Sequence, residues 1–363
     1  MVPDMAGGRE RPKRMRTLTV VVGSAVLVIA VATAAAIVFS SPKEHRTASW
    51  AAPQPATDMS APGGSASPSP SASPSASPSA SSSAGPKTPG RTSSRCGGFP
   101  NASCTGVPPG VALAKYAGPC VITAANFVVN GKQVNCDLDV RAPNVVIENS
   151  KINGLVYLDS DNASSANWSL TLQDSEVDGG AQQRAVVSTG NVTVLRSNIH
   201  GGITPVQCDE HNRSCTVQDS WLHGQYMPDG VDWHLGGFLS NGGGNIKLIH
   251  NTIVCDHPVN NAGGGCTGDV NFIPNFAPIH GALVQNNYLG ANMDASFSTY
   301  GGEKSTSQFP HSDHMVYRDN VFQRGANRKG SAYGPVTGFN VNGPGNQWTN
   351  NRWEDGGAVP PDN

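Results

Sequence analysis

One sequence pattern recurs eight times between residues 145 and 353, and it sets the strongest limit on the fold. Each copy is a short run of alternating apolar and polar residues, then a Ser or Asn, then an apolar residue two positions on. The copies occupy residues 145–152, 170–177, 192–199, 216–222, 246–253, 283–289, 316–322 and 347–353. A repeat of this kind indicates stacked units, none of which can bury its apolar face alone.

The alternation within each copy has a period of two residues, which predicts strands rather than helices. Each copy is therefore expected to form a strand, a tight turn and a second strand. If the copies stack in register, their Ser and Asn residues form a column that hydrogen-bonds from coil to coil. That column contains Ser150, Ser175, Ser197, Ser220, Asn251, Asn287, Asn320 and Asn351. The predicted fold is all-β: a right-handed parallel β-helix within residues 96–363.

The N-terminal region has a different composition. Residues 1–16 are basic, and residues 17–39 carry no charge; as a helix they would be about 35 Å long, enough to cross a membrane. The basic flank places the N-terminus in the cytoplasm and exports the rest. We favour an uncleaved transmembrane anchor, because the apolar run exceeds the ~7–15 residues usual in a signal peptide. The alternative is a long signal peptide cleaved near residues 34–36, which would release a secreted protein.

Residues 41–95 are rich in Ser, Pro and Ala and are predicted to form a disordered linker that tethers the domain at the cell surface. The domain beyond it is acidic. Residues 96–363 hold 14 Lys and Arg against 22 Asp and Glu, so their formal charge is 14 − 22 = −8. Nucleic acid is therefore not an expected partner. The membrane is contacted through the N-terminal helix only, and the domain is expected to be a monomer.

All eight cysteines lie at position 96 or beyond, in the exported part of the chain. An even number in that setting indicates disulfides, whereas the clustered spacing of a zinc site is absent. Neighbours in sequence suggest four pairs, although spacing alone does not fix the connectivity. These pairs are Cys96–Cys104, Cys120–Cys136, Cys208–Cys215 and Cys255–Cys266.

Three successive copies place a titratable residue three positions after the Ser of the column. These residues are Asp178, His200 and His223. The apolar residue one position earlier points inward, so these side chains are expected to point outward in a row with about 4.8 Å between strands. A carboxylate beside two imidazoles can exchange protons, so all three are candidate catalytic residues. The competing interpretation is that they are turn residues that bond loop backbone.

The loop at residues 223–234 is the second candidate. Asp232 and His234 are candidate catalytic residues, and Trp233 and Tyr226 are aromatic residues on which a sugar could stack. An Asx turn and a structural Trp are the alternative interpretation. Long insertions between the later copies are typical of a binding face, and Tyr300 lies in one of them. We add Tyr300 and Arg196 to the candidate substrate-binding residues.

The segments at residues 196–202, 231–234 and 320–325 resemble exported actinobacterial β-helix proteins of the pectate-lyase-like (pectin lyase fold) superfamily. The resemblance covers roughly residues 120–355. It implies the β-helix and a polysaccharide partner, because the superfamily contains polysaccharide lyases, epimerases and glycoside hydrolases. The vWiDH and RxPxxR motifs of pectate lyases are absent from this sequence, so the resemblance transfers no catalytic residue.

Two functions are predicted. The first is an enzyme that cleaves an extracellular polysaccharide, either as a lyase or as a glycoside hydrolase. In the lyase version His200, His223 or His234 removes a proton, and Ca²⁺ on Asp178, Asp229 or Asp232 neutralises the substrate carboxylate. In the hydrolase version two carboxylates act as acid and base. The second is a glycan-binding or structural surface module without catalysis.

Overall fold

A computed structural model describes residues 95–208, 211 and 213–361. The segments 1–16 and 17–39 and nearly all of the linker predicted at 41–95 lie outside the described residues. Within the described part of the chain, no helix is long and apolar enough to cross a membrane. The one helix found there is a short 3-10 helix at Ala163–Asn167.

The described chain folds into three parallel sheets, whose strands we number β1 to β28 in chain order. Sheet A contains ten strands: β1 (Ala114–Lys115), β4 (Lys132–Val134), β7 (Lys151–Asn153), β10 (Glu176–Asp178), β13 (Asn198–His200), β16 (Trp221–His223), β19 (Thr252–Ile253), β22 (Tyr288–Leu289), β25 (Val321–Phe322) and β28 (Arg352–Trp353). Sheet B contains nine: β2 (Val121–Ile122), β5 (Leu138–Val140), β8 (Val156–Tyr157), β11 (Ala185–Ser188), β14 (Thr204–Cys208), β17 (His234–Ser240), β20 (Gly265–Phe272), β23 (Phe297–Gly301) and β26 (Gly334–Thr337). Sheet C contains nine: β3 (Val128–Asn130), β6 (Val145–Glu148), β9 (Ser169–Gln173), β12 (Asn191–Leu195), β15 (Cys215–Gln218), β18 (Gly243–Ile249), β21 (Ile279–Gln285), β24 (Ser312–Arg318) and β27 (Gln347–Thr349).

The chain visits the sheets in the fixed order C, A, B and then C again, and each strand pairs with its counterpart one coil away. This is the architecture of a parallel β-helix, as the repeat predicted. Each copy of the repeat supplies a strand of sheet C, a tight turn and a strand of sheet A: residues 145–152, for example, form β6 and β7. The connections from A to B and from B to C carry the insertions between copies.

The predicted column is confirmed as a hydrogen-bonded ladder at the turn from sheet C to sheet A. The side-chain oxygen of each ladder residue after the first accepts a hydrogen bond from the backbone N–H of the ladder residue one coil earlier, at 2.9–3.4 Å. All eight residues are buried. The change from Ser to Asn after Ser220 adds the amide N–H₂ group, which donates to carbonyl oxygens in the coil before.

The residue before each ladder position lies in the left-handed region, with φ between 47° and 59°. Six of these eight residues are Asn or Asp, which tolerate this conformation best among non-glycine residues. The other two, Arg196 and His250, are held by carboxylates. Arg196 binds Asp174 through Nε (2.8 Å) and Nη2 (2.6 Å), and Nδ1 of His250 lies 2.6 Å from Asp219. Contacts between coils therefore hold the two least favourable turn residues in place.

The inward-facing residues of all three sheets form one continuous apolar core that follows the axis of the helix. Its C-terminal part is aromatic: the rings of Phe238, Phe272 and Tyr317 contact one another in turn, at 5.5 and 6.3 Å between centroids. Trp348 and Trp353 pack against this end of the core. A second, smaller apolar cluster lies under the A-to-B connections.

All four predicted disulfide pairs are confirmed, and no cysteine is free among the described residues. Cys255–Cys266 joins the A-to-B connection to β20 and belongs to the second apolar cluster. Disulfides persist in oxidising compartments, so this set indicates an extracellular or secreted protein.

The first described residues take an unexpected path. Ile122, in the segment before the repeats, enters the core at the N-terminal end of the helix. Residues 95–106, which we call the N-terminal strap, instead run along the ladder turns in mid-helix. Arg95 lies 3.3 Å from Asp174, and the ring of Phe99 lies 5.7 Å from that of His250 and 5.4 Å from that of Tyr288.

Candidate functional site

Asp178, His200 and His223 stand in one row on the outer face of sheet A, as the spacing predicted. They are register partners on β10, β13 and β16. The rings of His200 and His223 stack with their centroids 5.4 Å apart, and the ring of Trp221 stacks on the other side of His223. The sequence therefore located this row correctly. Its chemical role depends on what each polar group contacts.

The polar groups of the two histidines in this row contact neighbouring side chains. Nε2 of His200 lies 3.3 Å from Glu176, which also binds Lys151 at 2.8 Å. The hydrogen bond from His200 and the contact with Lys151 lower the pKa of Glu176 to about 2, although burial opposes the shift. Burial, with a smaller contribution from His200, lowers the pKa of His223 to about 4, so its imidazole is neutral at neutral pH. Nε2 of His223 lies 2.8 Å from Oδ1 of Asn198.

The N-terminal strap lies against the same face. Gly106 donates its backbone N–H to the carbonyl of Arg196, and a Cβ at this glycine would lie 3.3 Å from the Cβ of Asn198. Such a close approach leaves little room for a polymer chain over this part of sheet A. The contacts of the row are those of a structural cluster. The alternative interpretation, a bond to loop backbone, describes Asp178, which accepts the N–H of Gly180, whereas His200 and His223 contact side chains.

The candidates in the loop before β17 do not all point to one site. Nε2 of His234 lies 3.6 Å from Asp232, whose side chain is 65% exposed. Trp233 packs on the second apolar cluster, which limits the ring surface that a sugar could reach. Tyr226 is exposed, and Asp229 is exposed in a turn. Asp232 and His234 thus form a pair at the start of β17 in sheet B, whereas His200 and His223 belong to sheet A.

Arg196, the remaining substrate-binding candidate outside sheet B, is buried at the ladder turns. Both ends of its guanidinium fork bind Asp174, and this contact raises its pKa. Its backbone carbonyl accepts the N–H of Gly106. Arg196 therefore connects the ladder turns with the N-terminal strap.

An open cleft of about 930 Å³ lies over the outer face of sheet B, in the coils with the longest insertions. This volume falls within the range of about 300–1,000 Å³ that is typical of ligand sites. Strands β17, β20, β23 and β26 form its floor, and the connections on either side form its walls. Side chains lining it include His234, Thr267, Asp294, Ser296, Tyr300, Glu303, Lys304 and Thr337. Two sequence-predicted residues, His234 and Tyr300, are thus brought to one site.

Tyr300 forms part of the cleft floor and is 8% exposed. Burial raises its pKa to about 12, with a small opposing effect of a hydrogen bond to Ser296, so the phenol keeps its proton at neutral pH. Asp294 precedes β23 and Glu303 follows it, so a carboxylate stands towards each end of this strand. A ligand over Tyr300 would meet a hydroxyl donor between two acids.

The acids and the lysine are held by neighbouring groups. Oδ2 of Asp294 accepts the backbone N–H of Val259 at 3.3 Å. Glu303 accepts the backbone N–H of Ser312 at 3.0 Å, and its other oxygen lies 2.8 Å from His311. Lys304 donates to Asn275 at 2.7 Å, and partial burial lowers its pKa. These contacts fix the side chains without a ligand, as a preformed site requires.

Within the described residues, no group of three or more His, Cys, Asp and Glu side chains is arranged to hold a metal ion. Asp178, Asp229 and Asp232, the predicted calcium ligands, are therefore not assembled into one set of donors. Asp178 belongs to sheet A, where its Oδ1 accepts the N–H of Gly180 at 2.9 Å.

Asp294, Glu303 and Lys304 lie in a long insertion between copies, where the sequence predicted a binding face and, of these cleft residues, singled out Tyr300 alone. No repeat spacing marks them, because they lie between copies. The available signal was their position: they flank Phe297–Gly301, a strand that carries Tyr300.

Comparisons with protein-family models, with curated proteins and with solved structures find no match to this chain. The fold and the cleft geometry therefore carry the functional argument.

Proposed function

We propose that this protein is an exported, carbohydrate-active β-helix protein of the pectate-lyase-like type, with right-handed coils, that cleaves a polysaccharide in the cleft over sheet B. The cleft carries the proposal: it is preformed, it lies beside the longest insertions, and it contains two carboxylates, an imidazole and a protonated phenol. The N-terminal segment would tether the domain to the cell surface.

Hydrolysis of a glycosidic bond is the reaction that this set of groups supports best. Glycosidases use two carboxyl groups, one as acid and one as base or nucleophile. Asp294 and Glu303 are the two carboxylates that line the cleft, and a sugar seated on Tyr300 would lie between them. The phenol of Tyr300 would donate to a sugar oxygen, and His234, paired with Asp232, would exchange protons at the rim.

A glycan-binding module without catalysis is the second candidate. Glu303 favours it, because both of its oxygens already accept hydrogen bonds from Ser312 and His311. A catalytic carboxylate needs one oxygen available to the substrate.

The test incubates the full-length protein with plant, algal and bacterial wall polysaccharides. New reducing ends alone would indicate hydrolysis. Reducing ends accompanied by ultraviolet absorbance from a new double bond would indicate a lyase. Neither signal, together with retention on an insoluble glycan, would favour the binding module.

Substitutions separate the cleft from the row on sheet A. Asp294→Asn and Glu303→Gln keep the size of each side chain but remove the proton-transfer group, so the cleavage rate should fall by about 10²-fold or more. His200→Ala should leave the rate within about twofold, because His200 is on another sheet. Initial rates of reducing-end release measure both. A rate that fell with His200→Ala and survived both cleft substitutions would move the active site to sheet A.

A further inference from the structure

The charges around the cleft indicate which sugars it accepts. Asp294 and Glu303 line it, and Asp232 stands at its rim, where its carboxylate would lie 3.9 Å from a Cβ placed on Gly263. The side chain of Asp232 is 65% exposed, so its charge lies in the solvent at the mouth of the cleft. Two carboxylates thus line the cleft, and a third stands at its rim.

The opposing positive charge is small. Lys304 is the one lysine among the described residues that line the cleft; its ammonium group already donates to Asn275, and partial burial lowers its pKa. The lining also contains the imidazole of His234, whose Nε2 lies 3.6 Å from Asp232. Of the described residues that line the cleft, none is an arginine. Arginine is the side chain best suited to bind a carboxylate through two parallel hydrogen bonds.

An acidic cleft repels anionic ligands and attracts cationic ones. The charge of −8 over residues 96–363 acts in the same direction. We infer that the cleft binds an amino-sugar glycan, a polymer whose sugars carry amino groups and no carboxylate. The inference rests on the proposed function for the identity of the site, and it adds the substrate class. A protonated sugar amine would lie near Asp294 or Glu303.

The experiment measures binding, so it does not depend on turnover. The full-length protein is titrated with fluorescently labelled oligomers of equal length: glucosamine, N-acetylglucosamine and galacturonate. A mildly acidic buffer keeps the sugar amine protonated. Glucosamine oligomers should bind at least about tenfold more tightly than galacturonate oligomers, and added salt should narrow the difference because it screens exposed charges.

Asp294→Asn provides the site-specific test. The asparagine oxygen can still accept the N–H of Val259, so the loop should keep its structure. Affinity for glucosamine oligomers should fall about threefold to tenfold, and the discrimination against galacturonate should shrink. Asp161→Asn is the matched control: it changes the net charge equally at an exposed position between β8 and β9, and it should leave both affinities unchanged.

Tighter binding of galacturonate, with or without added Ca²⁺, would overturn the inference, and so would equal effects of Asp294→Asn and Asp161→Asn. Failure of the proposed function looks different. Glucosamine oligomers that bind but are never cleaved would refute the enzyme and leave the ligand class intact. Cleavage of a polyuronate would support the enzyme and refute the ligand class.

Discussion

Asn287→Ala should lower the free energy of unfolding by about 4 kcal/mol or more. The Asn287 amide makes four buried hydrogen bonds. Its oxygen accepts from the backbone N–H (2.9 Å) and the side-chain Nδ2 (3.0 Å) of Asn251, and its nitrogen donates to Leu248 (2.9 Å) and Asn320 (3.0 Å). Alanine leaves the backbone N–H of Asn251 buried without its acceptor, at about 1–3 kcal/mol, and it removes three further bonds that contribute about 0.5–1.5 kcal/mol each.

Equilibrium unfolding in urea measures this loss, and thermal unfolding provides an independent reading. In a domain of this size, about 4 kcal/mol corresponds to a decrease in Tm of roughly 10 °C. Asn342→Ala is the matched control, because Asn342 is exposed in a turn and should have almost no effect. If Asn287→Ala unfolded at the same urea concentration as the wild type, the Asn ladder would not be a major source of stability.

The serine half of the ladder should be less sensitive. In Ser175→Ala, the backbone N–H of Ser150 loses its acceptor and the bond from Ser175 to the carbonyl of Gln173 is lost. These two bonds predict a loss of about 1–2 kcal/mol. The difference between the losses in unfolding free energy of Ser175→Ala and Asn287→Ala measures what the amide nitrogen contributes. Of the two ladder residue types, only asparagine joins its coil to both neighbouring coils through its side chain.

The ladder also shows why so much of the fold was predictable from sequence. Every coil needs a strand of sheet C, a left-handed residue, a buried Ser or Asn and a strand of sheet A, so the constraint repeats in the sequence. Ser150 and Asn351 stand seven coil steps apart and meet the same requirement. The four disulfides were predictable for a related reason: each joins cysteines no more than 16 residues apart.

The cleft was less predictable, because its residues come from segments that do not repeat. The rule that located Asp178, His200 and His223 applies to sheet A, since it counts from the ladder along the next strand. Sheet B follows connections of variable length, so the same count does not reach it. His234 and Tyr300 were named for their chemistry alone, and only the fold places them over one floor.

The burial of Asp269 was also not predictable from the sequence, for another reason. It lies in β20, three residues after Cys266 in the same strand, and is 2% exposed. Its Oδ1 accepts the backbone N–H of Cys255 at 2.8 Å, and its Oδ2 has no hydrogen-bond partner among the described residues. It lies between the copies at residues 246–253 and 283–289, and nothing in the local sequence pattern shows that a strand begins there.

Asp269 should stabilise the folded protein in acid and lose this effect as the pH rises. Burial is the main cause that raises its pKa well above the usual value; the Asp256 carboxylate adds to this effect, and the bond from Cys255 opposes it. A pKa raised by folding contributes stability that is fully present below the unfolded value of about 4 and is lost as pH rises through the folded value. For each tenfold difference between the acid dissociation constants of the folded and unfolded protein, this contribution is about 1.4 kcal/mol.

Asparagine keeps the acceptor for Cys255 and has no proton to lose, so the stability of Asp269→Asn relative to the wild type should increase as pH rises from about 4. Urea unfolding of both proteins at several pH values measures this difference. Other groups that titrate in the same range, such as Glu176, cancel in the comparison because both proteins contain them. Asp161→Asn should give a difference that does not change with pH. A constant difference for Asp269→Asn as well would mean that Asp269 is ionised in the folded protein and that its buried oxygen has found a partner.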